Sequence, residues 1–245
     1  MRVTIVRSLV VAALAGLLLS ACSKPSDKPQ ASREQVLAFL DDHPEVINEA
    51  AQRYELKRQK QLMAESAKAI AVRRAAIERD PHDFVANPNG KVTVTEFFDY
   101  RCPYCKASLP AIQALILQHP DIRFVFKEYP IIPDADGQIG VSLRASEAAM
   151  AAGRAGKYQS VHDAMMAMTS LDDAGIAKAL RQNGLDPATT VGSADDARHI
   201  QQVRDLAKAI GATGTPTYVV GDTMIAGNSM DQLALAIEQA RHAKS

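Results

Sequence analysis

"VTVTEFFDYRCPYCKAS", residues 92–108, decides the fold. Its first nine residues are β-branched and aromatic and predict a buried strand. From Cys102 to Gln118 the apolar residues Leu109, Ile112, Leu115 and Ile116 predict a helix, which His119-Pro120 ends. "DIRFVFKEYPI", residues 121–131, alternates and predicts a second strand. Strand, helix and strand in this order form a βαβ unit, parallel and right-handed. Cys102 and Cys105 fall where the first strand gives way to the helix.

Downstream, residues 138–210 are Ala-rich and helical, with breaks near Gly153–Gly156, Asp172–Gly175, Gly184–Pro187 and Gly192. In "TGTPTYVVGDTMIAG", residues 213–227, two short strands, Thr217–Val220 and Thr223–Ala226, flank the turn dipeptide Gly221-Asp222. "MDQLALAIEQARHAKS" closes the chain as an amphipathic helix.

Upstream, "PHDFVANPNGK", residues 81–91, marks a boundary through Pro81, Pro88 and Asn89-Gly90. Residues 33–80 read as helix. Ser32 and Gln35 form a capping-box pattern, and "DDHPEV" breaks the helix with Pro44 placed where a second one can begin. Leu56, Met63, Ile70 and Ile77 fall at seven-residue spacing, while the other seam column, Lys60, Ala67 and Arg74, is polar or small. A helix this long and polar either lies on the main domain or pairs with copies of itself. The expectation is an oligomerisation stalk, with a solvated helical linker as the alternative.

The chain has 245 residues, formal net charge +0, 47% hydrophobic residues and no Trp. A nucleic-acid partner, which would need a basic excess, is not expected. Arg2 and Arg7 precede the apolar run "SLVVAALAGLLLS", too short to span a bilayer as a helix but of signal-peptide length. Leu19-Ser20-Ala21-Cys22 places a large residue where ordinary signal cleavage wants a small one. It resembles the bacterial lipobox, in which the Cys becomes the lipidated first residue of the mature protein. The alternative is a soluble secreted protein. Both leave the cytosol for a compartment where disulfides form. "SKPSDKPQAS", residues 23–32, reads as a tether.

Apart from Cys22, Cys102 and Cys105 complete the chain's 3 cysteines. A zinc clip would need two further ligands, and the 6 histidines show no H-x₃₋₅-H spacing. A structural disulfide closing so short a loop would stabilise little. A redox pair has a mechanism. Cys102 sits at a helix N-terminus, where backbone N–H groups and the macrodipole lower a thiol pKa from about 8.5 toward roughly 3.5–7.5. Pro103 lacks an N–H and fits the first helical turn. Cys105, one turn on, can attack a mixed disulfide at Cys102 and release the partner. Arg101 adds positive charge, partly opposed by Asp99. "HDAMMAMT", residues 162–169, offers His162, Met165, Met166 and Met168 as soft copper ligands, but methionines at helical spacing more commonly fill a core. No metal or cofactor is expected.

"EFFDYRCPYC" resembles the active-site stretch of DsbA-family proteins, thioredoxin-like thiol–disulfide oxidoreductases of the bacterial envelope. The similarity extends over residues 85–245. "GTPT", residues 214–217, resembles the family's cis-proline loop, which implies a cis Pro216 facing the cysteines, with Thr215 before it holding substrate. "FLDDHPEVI" resembles the N-terminal extension of the subgroup related to the suppressor-of-copper-sensitivity C protein, whose members oligomerise through that region. The resemblance also implies that Glu96 is a buried acid serving the second cysteine, and that Lys127 pairs with it; an edge-facing lysine is the alternative. Tyr104 replaces the His common in strongly oxidising relatives, which with Pro103 makes it a tuning residue. Thr215 is shared with isomerases.

The expected architecture is therefore α/β: a thioredoxin fold with an inserted helical domain, preceded by an N-terminal helical extension. The expected segments are a signal peptide (1–21), a tether (22–32), a helical stalk (33–84) and a DsbA-like domain (85–245) with its insertion at about 136–210. The expected partners are exported proteins with cysteines, a membrane redox partner and further copies of the chain bound through residues 33–80. The expected location is the periplasmic side of the envelope, held by lipid on Cys22. The chemistry is either oxidation or isomerisation of disulfides; the alternative is a metal-handling or scaffold lipoprotein in which redox is secondary.

Overall fold

A computed structural model describes residues 31–243. The signal segment, Cys22 and tether residues 23–30 lie outside the described residues. Among those described, no helix is long and apolar enough to cross a membrane. The chain divides into two compact units between Leu56 and Lys57.

The first unit holds α1 (Arg33–Asp42) and the opening turns of α2 (Glu45–Glu78). The capping box at Ser32 forms in both directions: the Gln35 N–H donates to Ser32 Oγ at 3.2 Å, and the Ser32 N–H donates to Gln35 Oε1 at 2.9 Å. Val36, Leu37, Phe39, Ile47, Tyr54 and Leu56 are exposed.

The second unit is built on a five-stranded sheet ordered β1-β3-β2-β4-β5. Its strands are β1 (Phe84–Ala86), β2 (Val92–Phe98), β3 (Ile122–Glu128), β4 (Thr217–Val220) and β5 (Thr223–Ala226). β2 and β3 are parallel and joined through α3 (Pro103–Gln118); the remaining pairings are antiparallel. Gly221-Asp222 is the whole loop between paired Val220 and Thr223. β1 is an addition to the sequence reading, which gives residues 81–91 only turns. Phe84-Val85-Ala86 pairs with β3 at the sheet edge, too short to leave a periodic signal. Gly90 lets the following turn press on β3, since a Cβ there would sit 2.2 Å from the Arg123 nitrogen.

Strand alternation sorts residues onto two faces. Val92, Val94 and Phe98 of β2, with Ile122, Phe124 and Phe126 of β3, join the larger core. That core includes residues of α3, of the inserted helices α4 (Gly140–Arg154), α5 (Tyr158–Met166) and α6 (Asp173–Gln182), and of α8 (Met230–Ala243). On the other face Phe97 and Val219 pack with Ile70 and Ile77 of α2 and with Val203, Ala207 and Ile210 of α7 (Ala194–Ile210). Two members of the seven-residue column are thus buried, Ile70 at 1% and Ile77 at 0% exposure, while Leu56 and Met63 remain 58% and 62% exposed.

The C-terminus of α2 is satisfied by the sheet. Its last carbonyls would otherwise lack partners. Arg79 N–H donates to Ala75 O (2.8 Å), Lys127 Nζ to Ala76 O (2.6 Å), Thr95 Oγ1 to Ile77 O (3.3 Å) and Arg123 Nη1 to Glu78 O (2.5 Å). Arg123 and Lys127 of β3 therefore face a helix end, where cations are favoured, rather than solvent.

Candidate active site

Cys102 is the N-cap of α3 and Pro103 its first residue. The cap is held by Cys102 N–H donating to Asp99 O (3.0 Å) and by Lys106 N–H donating to Cys102 O (3.1 Å). Cys102 and Cys105 are free thiols, 3% and 2% exposed. The Cys102 thiol donates to the backbone carbonyl of Thr215 at 3.1 Å, and the Thr215–Pro216 bond is cis. Residues more than a hundred positions apart thus meet at the start of α3. Tyr104 is 64% exposed beside them.

The two sulfurs differ in acidity. A hydrogen bond from Cys105 lowers Cys102 from the ordinary 9.0 to about 6, against the opposing effect of burial; the backbone N–H groups of Cys105 and Tyr104 also help. Burial pushes Cys105 far upward, reinforced by its bond to Cys102 and by the Glu96 charge. Glu96 shares the α3 side of β2, two residues from Val94 and Phe98. Burial raises it to about 8, against the hydrogen bond it accepts from Tyr218 at 3.2 Å. At neutral pH this constellation holds a thiolate at Cys102, a thiol at Cys105 and a proton on Glu96.

Lys127 does not pair with Glu96. The register sets Glu96 opposite Phe126 and Phe97 opposite Lys127, so Lys127 projects from the other face and is ion-paired with Asp83. Arg101 is also directed away: its guanidinium pairs with Asp134 and donates to Pro133 O (3.2 Å). Asp99 is less an opposing charge than a buried organiser. It accepts from Arg101 N–H (2.8 Å), Ile131 N–H (2.7 Å), Ile132 N–H (2.9 Å) and Ser142 Oγ (2.9 Å). Met165 and Met166 lie in the core, and His162 Nδ1 is 3.2 Å from Tyr100 Oη.

A second buried acid escapes the sequence reading. Glu128 accepts from Tyr100 Oη (3.0 Å) and Tyr158 Oη (2.6 Å), and burial raises it to about 8. The signal is available, since Glu128 has the strand parity of Phe124 and Phe126. Tyr158, its other partner, lies on an inserted helix thirty residues on, where no local pattern points to it.

Residues 93–238 match the family described as the DSBA-like thioredoxin domain. The chain belongs to the DSBA-like thioredoxin family. This DSBA-like chain is similar to the solved structure of a linker-deletion mutant of Proteus mirabilis ScsC. Identity is 26%, coverage 92% of this chain and 100% of that one, and the TM-score 0.67. A thioredoxin-like oxidoreductase from Silicibacter pomeroyi DSS-3 is 36% identical, covering 69% of this chain and 98% of that one, with a TM-score of 0.64. Curated relatives are "Na(+)/H(+) antiporter NhaA 3" of Salinispora tropica and "Na(+)/H(+) antiporter NhaA 1" of Salinispora arenicola. They are each 31% identical, over 147 and 175 residues, which cover 58% and 66% of this chain. They are covered over only 22% and 25% of their own length, so the DSBA-like chain spans about a quarter of the curated relatives it matches. The family match and the solved structures support a thiol–disulfide oxidoreductase of the DsbA and ScsC type.

Proposed function

We propose that the chain exchanges disulfides with exported proteins through Cys102 and Cys105. The observation that carries this reading is the inequality of the two sulfurs, about 6 against a strongly raised value, with the protonated Glu96 behind them.

In the oxidising direction a substrate thiolate attacks Cys102 Sγ of the enzyme disulfide. A mixed disulfide forms, the Cys102–Cys105 bond breaks, and Cys105 leaves with the electron pair, taking a proton from the Glu96 side. A second substrate thiolate then attacks its partner sulfur and expels Cys102, a good leaving group because its thiolate is stable. Substrate loses two electrons and the enzyme gains them. In the isomerising direction the Cys102 thiolate attacks a wrong disulfide, and a substrate thiol or Cys105 resolves the adduct. In this proposal Glu96 serves as proton carrier for Cys105, Thr215 and Pro216 as the substrate ledge, and Pro103 and Tyr104 as tuning residues. No cofactor is required by this chemistry.

The reading favours oxidase or bifunctional oxidase/isomerase use. Exposed Leu37, Phe39, Ile47, Tyr54, Leu56 and Met63 support association of copies through residues 33–80. The segments proposed are signal peptide 1–21, tether 22–32, stalk 33–84 and catalytic domain 85–245. Lipidation at Cys22 would hold the chain on the periplasmic side of a membrane, where a membrane redox partner resets it. Refolding of a reduced and of a scrambled disulfide protein tests the proposal. Both activities are expected to vanish in Cys102→Ser, and activity retained there overturns the assignment.

A further inference from the structure

On the sheet face away from the cysteines, Asp80, His82 and His199 offer one ligand atom each, all within 4.8 Å of one another. Asp80 and His82 lie in the turn after α2; His199 comes from α7, more than a hundred residues on. His199 is 4% exposed. Its Nε2 is 2.9 Å from Asp83 Oδ1, a carboxylate that can only accept, so Nε2 carries a proton and in the neutral ring Nδ1 carries the lone pair. That Nδ1 is buried without a hydrogen-bond partner. It faces Asp80 Oδ2 at 3.8 Å, too far for a hydrogen bond. Two ligands of a tetrahedral ion bound at 2.0–2.2 Å stand about 3.4 Å apart, close to this gap. Asp80 Oδ1 is engaged by the His82 backbone N–H and lies 3.0 Å from His82 Nδ1, which brings the exposed His82 ring to the same spot.

The arrangement beyond these three matches that of a metal-bound imidazole. A ligating histidine commonly donates its second N–H to a carboxylate, which is itself held. Here Asp83 plays that part and is anchored by Lys127. One carboxylate and two imidazoles suit a borderline divalent transition ion and not an oxygen-seeking one such as Mg²⁺.

We infer that Asp80, His82 and His199 form a binding site for a zinc-type divalent ion, oriented by Asp83 and independent of the cysteine pair. The ion would clamp the turn after α2 to α7. The competing reading is a protonated His199 bridging Asp80 and Asp83 with no ion.

The test uses tag-free chain from Ser23 to Ser245, which contains every described residue, oxidised so that Cys102 and Cys105 cannot take the metal. Calorimetric titration with Zn²⁺ is expected to give one ion per chain, and Zn²⁺ but not Mg²⁺ is expected to raise Tm. His82→Ala changes an exposed side chain and is expected to weaken Zn²⁺ at least tenfold and abolish the Tm shift, with disulfide-exchange rates unchanged. Asp80→Asn serves as the second variant. Co²⁺ in place of Zn²⁺ should show the visible bands of a tetrahedral site, lost in both variants. No Zn²⁺ binding, binding that both variants retain, or an equal response to Mg²⁺ overturns the site.

Discussion

The Cys102 sulfur lies 3.1 Å from the Thr215 carbonyl oxygen, to which it donates only while it is a thiol. Once Cys102 is joined to a substrate sulfur, that carbonyl loses its donor and is free to accept a backbone N–H from the extended substrate segment. The Cys102 thiol and a substrate backbone N–H therefore compete for one oxygen, and formation of the mixed disulfide releases it to the substrate. A Cys105→Ser protein, unable to resolve the adduct, should accumulate a mixed disulfide at Cys102, detectable as a reducible band on non-reducing gels.

The acidity of Cys102 sets a pH signature. The alkylation rate of the reduced protein should rise with a midpoint at about pH 6. The folded value lies below the ordinary 9.0, so between pH 6 and 9 the unfolded chain holds a proton that the folded one has released. The stability gained is complete above 9 and lost as pH falls through 6. Reduced protein should thus gain Tm over oxidised protein as pH rises across that window. A gap that stays constant would count against a folded-state thiolate.

Glu96 runs the opposite way. Its folded value of about 8 exceeds the ordinary 4.5, so its contribution to stability is present below 4.5 and lost as pH rises through 8. Glu96→Gln should remove that decline, which pH-dependent Tm measurements would show. The same variant should slow turnover at pH 7 by roughly a hundredfold, the lower end for a positioned general acid, while leaving Cys102 reactive toward iodoacetamide. Unchanged turnover would exclude the proton-carrier role.

Tyr104 is exposed, so replacing it tests tuning without disturbing the core. Tyr104→His places an N–H donor that can carry positive charge two residues from the thiolate. It should lower the Cys102 midpoint below 6 and make the disulfide more oxidising, read from equilibration with glutathione. A potential that does not move would exclude Tyr104 as a tuning residue.

The apolar column of α2 divides by burial. Ile77→Ala should cost about 2–5 kcal/mol of unfolding free energy, and Leu56→Ala less than about 0.5. Denaturant unfolding distinguishes them. Removal of residues before Lys57 should leave a folded domain that runs as a monomer in light scattering, whereas removal through Asp80 also strips Ile70 and Ile77 from the core and should abolish folding.

What the sequence made legible was what is local. The strand–helix junction at Cys102, the capping box at Ser32, the Gly221-Asp222 hairpin and the breaks between the inserted helices each leave a pattern within a few residues. Register was not legible. Lys127 is one position from the parity that would face Glu96, and nothing in "FVFKE" says which side of a doubly buried strand it takes. The three-residue β1 is too short to be periodic. The Asp80, His82 and His199 cluster joins a turn to a helix from the far end of the chain, a pairing invisible to any spacing rule.

The three carbonyls of α2 capped by the sheet carry a further consequence. The helix has no stop signal of its own in its last turn; Thr95, Arg123 and Lys127, on two strands, supply it. Grafted onto another protein, α2 would fray from Ala76 onward. Conversely, a redesign of the sheet that replaced those polar residues with valine or isoleucine, as buried strands invite, would unravel a helix it never touched in sequence.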